Sequence, residues 1–180
     1  MPEAVRDILW IGLYTGMRLG EVNSLQWERI DLERLILRVE ETKTGEVLEL
    51  PITNQLAGIL EHRKAEAEKI SSASARGLPR ASGWVFPSTK SRSGHIEDAA
   101  RFYAAISKAG GTKFWFHGLR NSFISVAERE LMLPRSLVKR LVNHARDGDV
   151  TEGYAADWTV EQLRKPAQRV ADRIDELVER

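Results

Sequence analysis

Residues 35–50 read as two short extended runs folded back on each other, in a chain whose other apolar spacing is helical. Leu35, Leu37 and Val39 alternate with Ile36, Arg38 and Glu40, and after Lys43-Thr44-Gly45 a second run, Val47 to Leu50, ends at Pro51. A period of two around a glycine-containing turn specifies a β-hairpin, with Lys43 at or near its tip. Elsewhere apolar residues step by three and four. Val5, Ile8, Leu9, Ile11 and Leu13 predict a helix over 3–14, stopped at Thr15-Gly16, and a second helix is expected over 19–25. Further helices are expected over 53–69, 97–109, 117–131 and 135–143, with a short one near 149–156. Ser- and Gly-rich stretches at 71–83 and 87–94 read as loops, the second of them basic. Val160, Leu163, Ala167, Val170, Ile174 and Leu177 draw a last amphipathic stripe, in which Pro166 is expected to open the second part. The class this specifies is mainly α with a small antiparallel β-hairpin or sheet, an α+β arrangement.

At 180 residues the chain is long enough for one domain with a real core. It has no cysteine, which closes disulfide, thiolate and Cys-ligated zinc chemistry and fits a cytosolic setting. Its longest apolar run, Ile8 to Tyr14, is far short of the ~20 residues a membrane span needs. Lys and Arg number 27 against 26 Asp and Glu, for a net charge of +1, which on its face argues against a polyanionic partner. The distribution says otherwise. Residues 1–60 hold 6 basic and 10 acidic side chains, residues 61–146 hold 16 and 7, and residues 147–180 hold 5 and 9. A strongly basic middle is flanked by acidic ends. Such a middle is either a phosphate-facing surface or a set of solvated helix faces.

The sequence contains no GxxxxGK[ST], HExxH, GxSxG or GxGxxG, so the common nucleotide, zinc-protease, hydrolase and dinucleotide signatures are missing. What remains is a scatter of cations, imidazoles and one oddly placed phenol. His117 and Arg120 stand three apart at the start of a predicted helix, where outward N–H groups and a guanidinium suit a phosphate oxygen. The plainer alternative is a core histidine beside a surface arginine. Arg18 follows a glycine turn with Glu21 three residues on, either a held cation or an ordinary surface ion pair. Tyr154 lies in a polar, glycine-punctuated stretch ten residues after His144. A phenol of pKa ~10 becomes a nucleophile only where a base or nearby cations favour its anion; otherwise it is a packing aromatic.

In order, Thr15-Gly16-Met17-Arg18-Leu19-Gly20-Glu21, Thr42-Lys43-Thr44, His117-Gly118-Leu119-Arg120, Val142-Asn143-His144 and Tyr154 resemble the catalytic domain of the tyrosine recombinases, the phage integrase family. The resemblance covers residues 3–178, and its later part is similar to integrases of prophages and genomic islands. Gly118 departs from the family's usual Asp and Asn143 from its usual Gly; neither removes a catalytic group.

The resemblance implies the tyrosine recombinase catalytic-domain fold and site-specific DNA recombination through a 3′-phosphotyrosyl intermediate, with no metal, ATP or other cofactor. It makes Arg18, Lys43, His117, Arg120, His144 and Tyr154 the catalytic set: Tyr154 the nucleophile, Arg18 and Arg120 the phosphate clamp, His144 a further donor, Lys43 the general acid and His117 the base or positioner. Glu21 supports them from behind. Lys90, Arg92, Lys139 and Arg140 are the expected DNA-contact residues, and duplex DNA carrying the recombination site is the expected partner. The whole of 1–180 is then one catalytic domain. The family's preceding DNA-binding half is expected to be missing, and residues 159–180 are expected to supply a helix that contacts either its own domain or a neighbouring protomer. A tetramer is expected for the full-length synaptic complex, a monomer for this fragment, and the cytoplasm of a bacterial cell for the location. A type IB topoisomerase-like domain and a non-catalytic helical DNA-binding regulator are the competing readings. The latter gives no reason for six catalytic-type residues in order.

Overall fold

The computed structural model describes residues 1–40, 47–73, 83–97, 100–142 and 158–179. Helix α1 (Glu3–Thr15) buries Val5, Ile8 and Ile11 on one face and ends where Gly16 turns left-handed at φ +65, returning its N–H to the Gly12 carbonyl at 3.0 Å. Helix α2 (Leu19–Asn23) follows at once. A three-stranded antiparallel sheet comes next, β1 (Ile30–Asp31), β2 (Ile36–Glu40) and β3 (Val47–Pro51), in that spatial order. The register pairs Leu37 with Leu50 and Val39 with Leu48, which puts the four buried leucine and valine side chains on one face. They join Ile8 and Ile11 of α1 and Leu56 and Leu60 of α3 (Asn54–Ala73) in the first of two apolar clusters. Ile36, which alternates with Leu35 and Leu37 on the side of Arg38 and Glu40, is buried as well, so both faces of the sheet are covered at this end.

The second cluster gathers the later helices. Helix α4 (Tyr103–Gly110) follows a 3-10 turn at Ala100–Phe102, later than expected, and stops at Gly111 with φ +67. Helix α5 (Phe116–Ser125) does not run on to 131 as an α-helix. It widens into a π-helical turn over Val126–Glu130, closed by Leu131 N donating to Val126 O at 3.1 Å. Helix α6 (Arg135–Leu141) follows, and α7 (Val160–Val178) ends the fold. Phe123, Val126, Leu137, Leu141, Leu163, Ala167, Val170 and Ile174 pack together between them.

Pro166 lies inside α7 and does not open a second helix. Proline in a helix interior removes one ladder bond and costs ~3 kcal/mol. That cost is met by burial of the whole stripe from Leu163 to Ile174 and by a capping box in which Thr159 and Gln162 satisfy each other's backbone N–H. Polar ties reinforce the docking: Tyr14 Oη donates to Asp175 at 2.5 Å, and Gln55 Nε2 donates to Asp175 at 2.7 Å and Asp172 at 3.0 Å. No described helix is long and apolar enough to cross a membrane.

The basic loop at 87–94 is stiffer than its composition suggests. A bridge pairs Pro87 with His95, Ser88 N donates to Gly94 O at 2.9 Å, and Ser91 Oγ donates to the His95 carbonyl. The Trp84 ring packs on His95 with centroids 4.7 Å apart. Lys90 and Arg92 are thereby held exposed on a braced loop.

Candidate functional site

Helices α1 and α5 approach closely because two glycines four apart, Gly12 on α1 and Gly16 at its C-terminal cap, carry no side chain. A Cβ at Gly12 would stand 2.4 Å from Phe116 Cζ, and one at Gly16 would stand 2.8 Å from Val142 Cγ1 and 3.1 Å from Phe123 Cδ1. This contact brings the end of α1 against Arg120, one turn along α5 from Phe116. Arg120 is 3% exposed, and its Nη1 donates to two carbonyls, Gly16 O at 2.7 Å and Val142 O at 2.6 Å. The guanidinium thus ties the C-terminal ends of α1 and α6. Arg18 lies two residues beyond the first carbonyl and His144 two beyond the second. Arg120 Nη2, also buried, has no hydrogen-bond partner among the described residues.

Arg18 opens α2 and is locked to Glu21 twice. Glu21 Oε2 accepts from Arg18 N at 2.7 Å, and Oε1 accepts from Arg18 Nη1 at 3.0 Å. One carboxylate therefore caps the helix and orients the guanidinium. The Arg120 guanidinium is held below its ordinary value, first by burial and then by the positive charge of Arg18, with Glu21 acting in the opposite direction. Among the described residues, two cations and one carboxylate act on this corner. A buried guanidinium with one nitrogen unengaged by any described residue, beside a second cation, is chemically suited to an anion.

His117 is exposed, one turn before Arg120. The plainer alternative for this pair is inverted: the arginine is in the core and the histidine outside. Trp115, 50% exposed, caps α5, and its ring lies against Gly118, where a Cβ would meet it at 3.4–3.7 Å. An aspartate fits at 118 without steric conflict. Lys139 and Arg140, in the last turn of α6, are half-buried, unlike the exposed Lys90 and Arg92. Lys43, His144, Tyr154 and Asn143 lie outside the described residues. The tie from Arg120 to the Gly16 and Val142 carbonyls had no counterpart in the sequence reading. Its only trace there is the Gly12–Gly16 spacing, a small-residue face in an otherwise bulky helix.

A family model described as "Phage integrase family" matches residues 2–159. The prophage integrase IntF of Escherichia coli (strain K12) is 27% identical over 162 residues, 90% of this chain and 32% of that protein. The integrase from mycobacterium phage Brujita matches with a TM-score of 0.66 at 18% identity, over 94% of this chain and 52% of that one. The XerH site-specific recombinase bound to its difH substrate matches at 0.61 and 19% identity, over 88% of this chain and 49% of that one. A lambda integrase dimer bound to a COC′ core site matches at 0.57 and 20% identity, over 88% and 45%. The chain spans about a third of the curated relative and about half of these structures. The shared fold is that of tyrosine recombinase catalytic domains.

Proposed function

The chain belongs to the phage integrase family, and from that premise we propose that it is the catalytic domain of a site-specific recombinase that cuts and rejoins duplex DNA through a tyrosine. Tyr154 Oη attacks the scissile phosphorus, the bond from phosphorus to the 5′-oxygen breaks, and a 3′-phosphotyrosyl link forms. Lys43 Nζ gives its proton to the departing 5′-oxygen; a lysine of pKa ~10.4 holds that proton at neutral pH. His117 takes or positions the tyrosine proton. The 5′-hydroxyl of the exchanged strand then attacks the phosphotyrosyl link, which reforms the backbone and frees Tyr154. One phosphodiester is exchanged for another ester of similar energy, so neither ATP nor a metal enters the reaction.

The observation that carries this reading is the corner where Arg120, whose Nη2 has no partner among the described residues, lies in the field of Arg18 and of the Glu21 carboxylate that holds Arg18. Charge grows on the non-bridging oxygens as phosphorus becomes five-coordinate, and forked cations already in place stabilise it without reorganising. His144 adds a donor to the same oxygens. Glu21 keeps the Arg18 fork aimed. Lys90 and Arg92, on their braced loop, meet the phosphate backbone, with Lys139 and Arg140 in a lesser part. The domain works within a tetramer in the full-length protein, in the bacterial cytoplasm, and α7 either stays docked on its own domain or reaches a neighbouring protomer.

The test is covalent capture. Incubated with a nicked duplex that loses its 5′-fragment on cleavage, the chain is expected to form a denaturation-resistant protein–DNA adduct, and Tyr154→Phe is expected to abolish it while retaining DNA binding. An adduct that persists in Tyr154→Phe sinks the assignment.

A further inference from the structure

Helix α7 grips the open end of the β2–β3 hairpin from both sides. Ahead of β2, Arg164 Nη2 donates to Arg34 O at 2.8 Å and Nη1 to Leu35 O at 3.1 Å. Leu35 is held at φ +53, a left-handed conformation that a side chain of this kind rarely adopts, and its carbonyl also accepts from Ile52 N at 2.9 Å. Beyond β3, Asn54 N donates to Gln168 Oε1 at 2.9 Å, and Gln168 Nε2 donates to Gln55 Oε1 at 2.9 Å. Arg164 and Gln168 stand four apart, on one face of α7. The arginine fork is itself fixed by Glu161, which accepts from Nε at 2.8 Å and Nη2 at 2.9 Å.

None of these contacts involves the arginine corner. We propose that Arg164 and Gln168 are positioning residues that set the tilt of the hairpin and so aim its far end, where Lys43 follows β2 in the chain. This inference rests on the reading of Lys43 as the proton donor. The ladder from Ile36–Pro51 to Glu40–Val47 is a short lever. At about 3.3 Å per residue it is roughly 13 Å long, so a tilt of about 10° at the base moves the far end by roughly 2 Å. Proton transfer requires a heavy-atom approach of ~2.6–3.2 Å, so that displacement is enough to disengage a general acid. The helix that holds the base begins six residues after Tyr154, so one element adjoins the nucleophile in sequence and steers the acid through space.

The experiment compares the 180-residue chain with Arg164→Gln and, as a second variant with a smaller electrostatic change, Gln168→Leu. Hydrogen exchange at the paired amides of β2 and β3 is expected to rise about tenfold in Arg164→Gln and less in Gln168→Leu, with the amides of α1 unchanged. Cleavage is then read on two nicked duplexes, one with the natural 5′-oxygen leaving group and one with sulfur in its place, which departs without a proton. Arg164→Gln is expected to slow the oxygen substrate about tenfold more than the sulfur substrate, as Lys43→Ala does to a greater degree. Unchanged exchange in both variants overturns the grip. Faster exchange with equal slowing of both substrates overturns the aiming of Lys43, since general loosening does not distinguish leaving groups. If Lys43→Ala itself slows both substrates alike, the assignment of Lys43 as the acid fails, and the proposal falls with it for that separate reason.

Discussion

Replacing Gly12 with alanine tests whether the α1–α5 crossing sets the site. The new methyl would start 2.4 Å from Phe116 Cζ and 3.0–3.1 Å from its two Cε atoms. Carbon atoms rest at about 3.5–4.0 Å, so the helices must separate, or the ring must shift, by roughly 1 Å. Phe116 is 5% exposed, and its ring is a rigid body with no flexible end to yield. Overpacking of this kind costs ~1–3 kcal/mol, with so short an approach placing it at the upper end, while the gain in helix propensity returns ~1 kcal/mol. The expected net loss is about 2 kcal/mol, or roughly 4–8 °C in Tm for a chain of this size. Urea unfolding with the slope held as a check on compactness provides the measurement. Gly58→Ala is the control, because that position is helical and exposed with nothing within 4 Å of its Cβ, and it should stabilise by ~0.5–1 kcal/mol. Phe116→Leu should recover at least 1 kcal/mol of the Gly12→Ala loss in a double-mutant cycle. If Gly12→Ala is as stable as the parent, or its effect simply adds to that of Phe116→Leu, the glycine is not what lets the helices meet.

Gly118→Asp is expected to raise stability by ~0.3–1 kcal/mol, because its Cβ meets Trp115 at ordinary contact distance and its carboxylate stands in the positive first turn of α5; thermal unfolding at low and high salt checks both size and screening. Burial pushes the Tyr14 phenol up, and the Asp175 carboxylate it donates to pushes it further. A group whose pKa is raised on folding contributes stability that is complete below its unfolded value, ~10, and is lost as pH rises through the folded one. Stability should therefore fall above pH ~10 in the parent and fall less in Tyr14→Phe, with ultraviolet titration showing one of the three tyrosines ionising late.

Local signals were legible in the chain and distant ones were not. The stop at Gly16, the strand pair on either side of 41–46 and the Arg18–Glu21 pair all depend on residues within a few positions of each other, and all lie where the sequence places them. Pro166 misled because a local rule about proline was outweighed by burial that only the tertiary fold supplies. The π-helical turn after Ser125 has no composition of its own. Arg120 is the instructive case. Its partners are backbone carbonyls at separations of 104 and 22 residues, and a carbonyl has no letter in the sequence. The resemblance to a family pointed to the residue, but only the fold reveals that Nη1 is spent on holding two helix ends together.

That division changes what the charge count means. A net charge of +1 averages over the entire surface, whereas screening limits an ion's influence to about 8 Å at physiological salt. Among the described residues, the charges that act on Arg120 are those of Arg18 and Glu21. Burial magnifies the difference, because Arg120 loses much of its hydration and is compensated by neutral carbonyls on Nη1 and, among the described residues, by no partner on Nη2. Lysine cannot substitute there: a single ammonium lacks the planar fork that lets one nitrogen hold the carbonyls while its neighbour remains for an anion. The proposed site therefore asks two things of one arginine, and the second depends on Nη2, which no described residue engages.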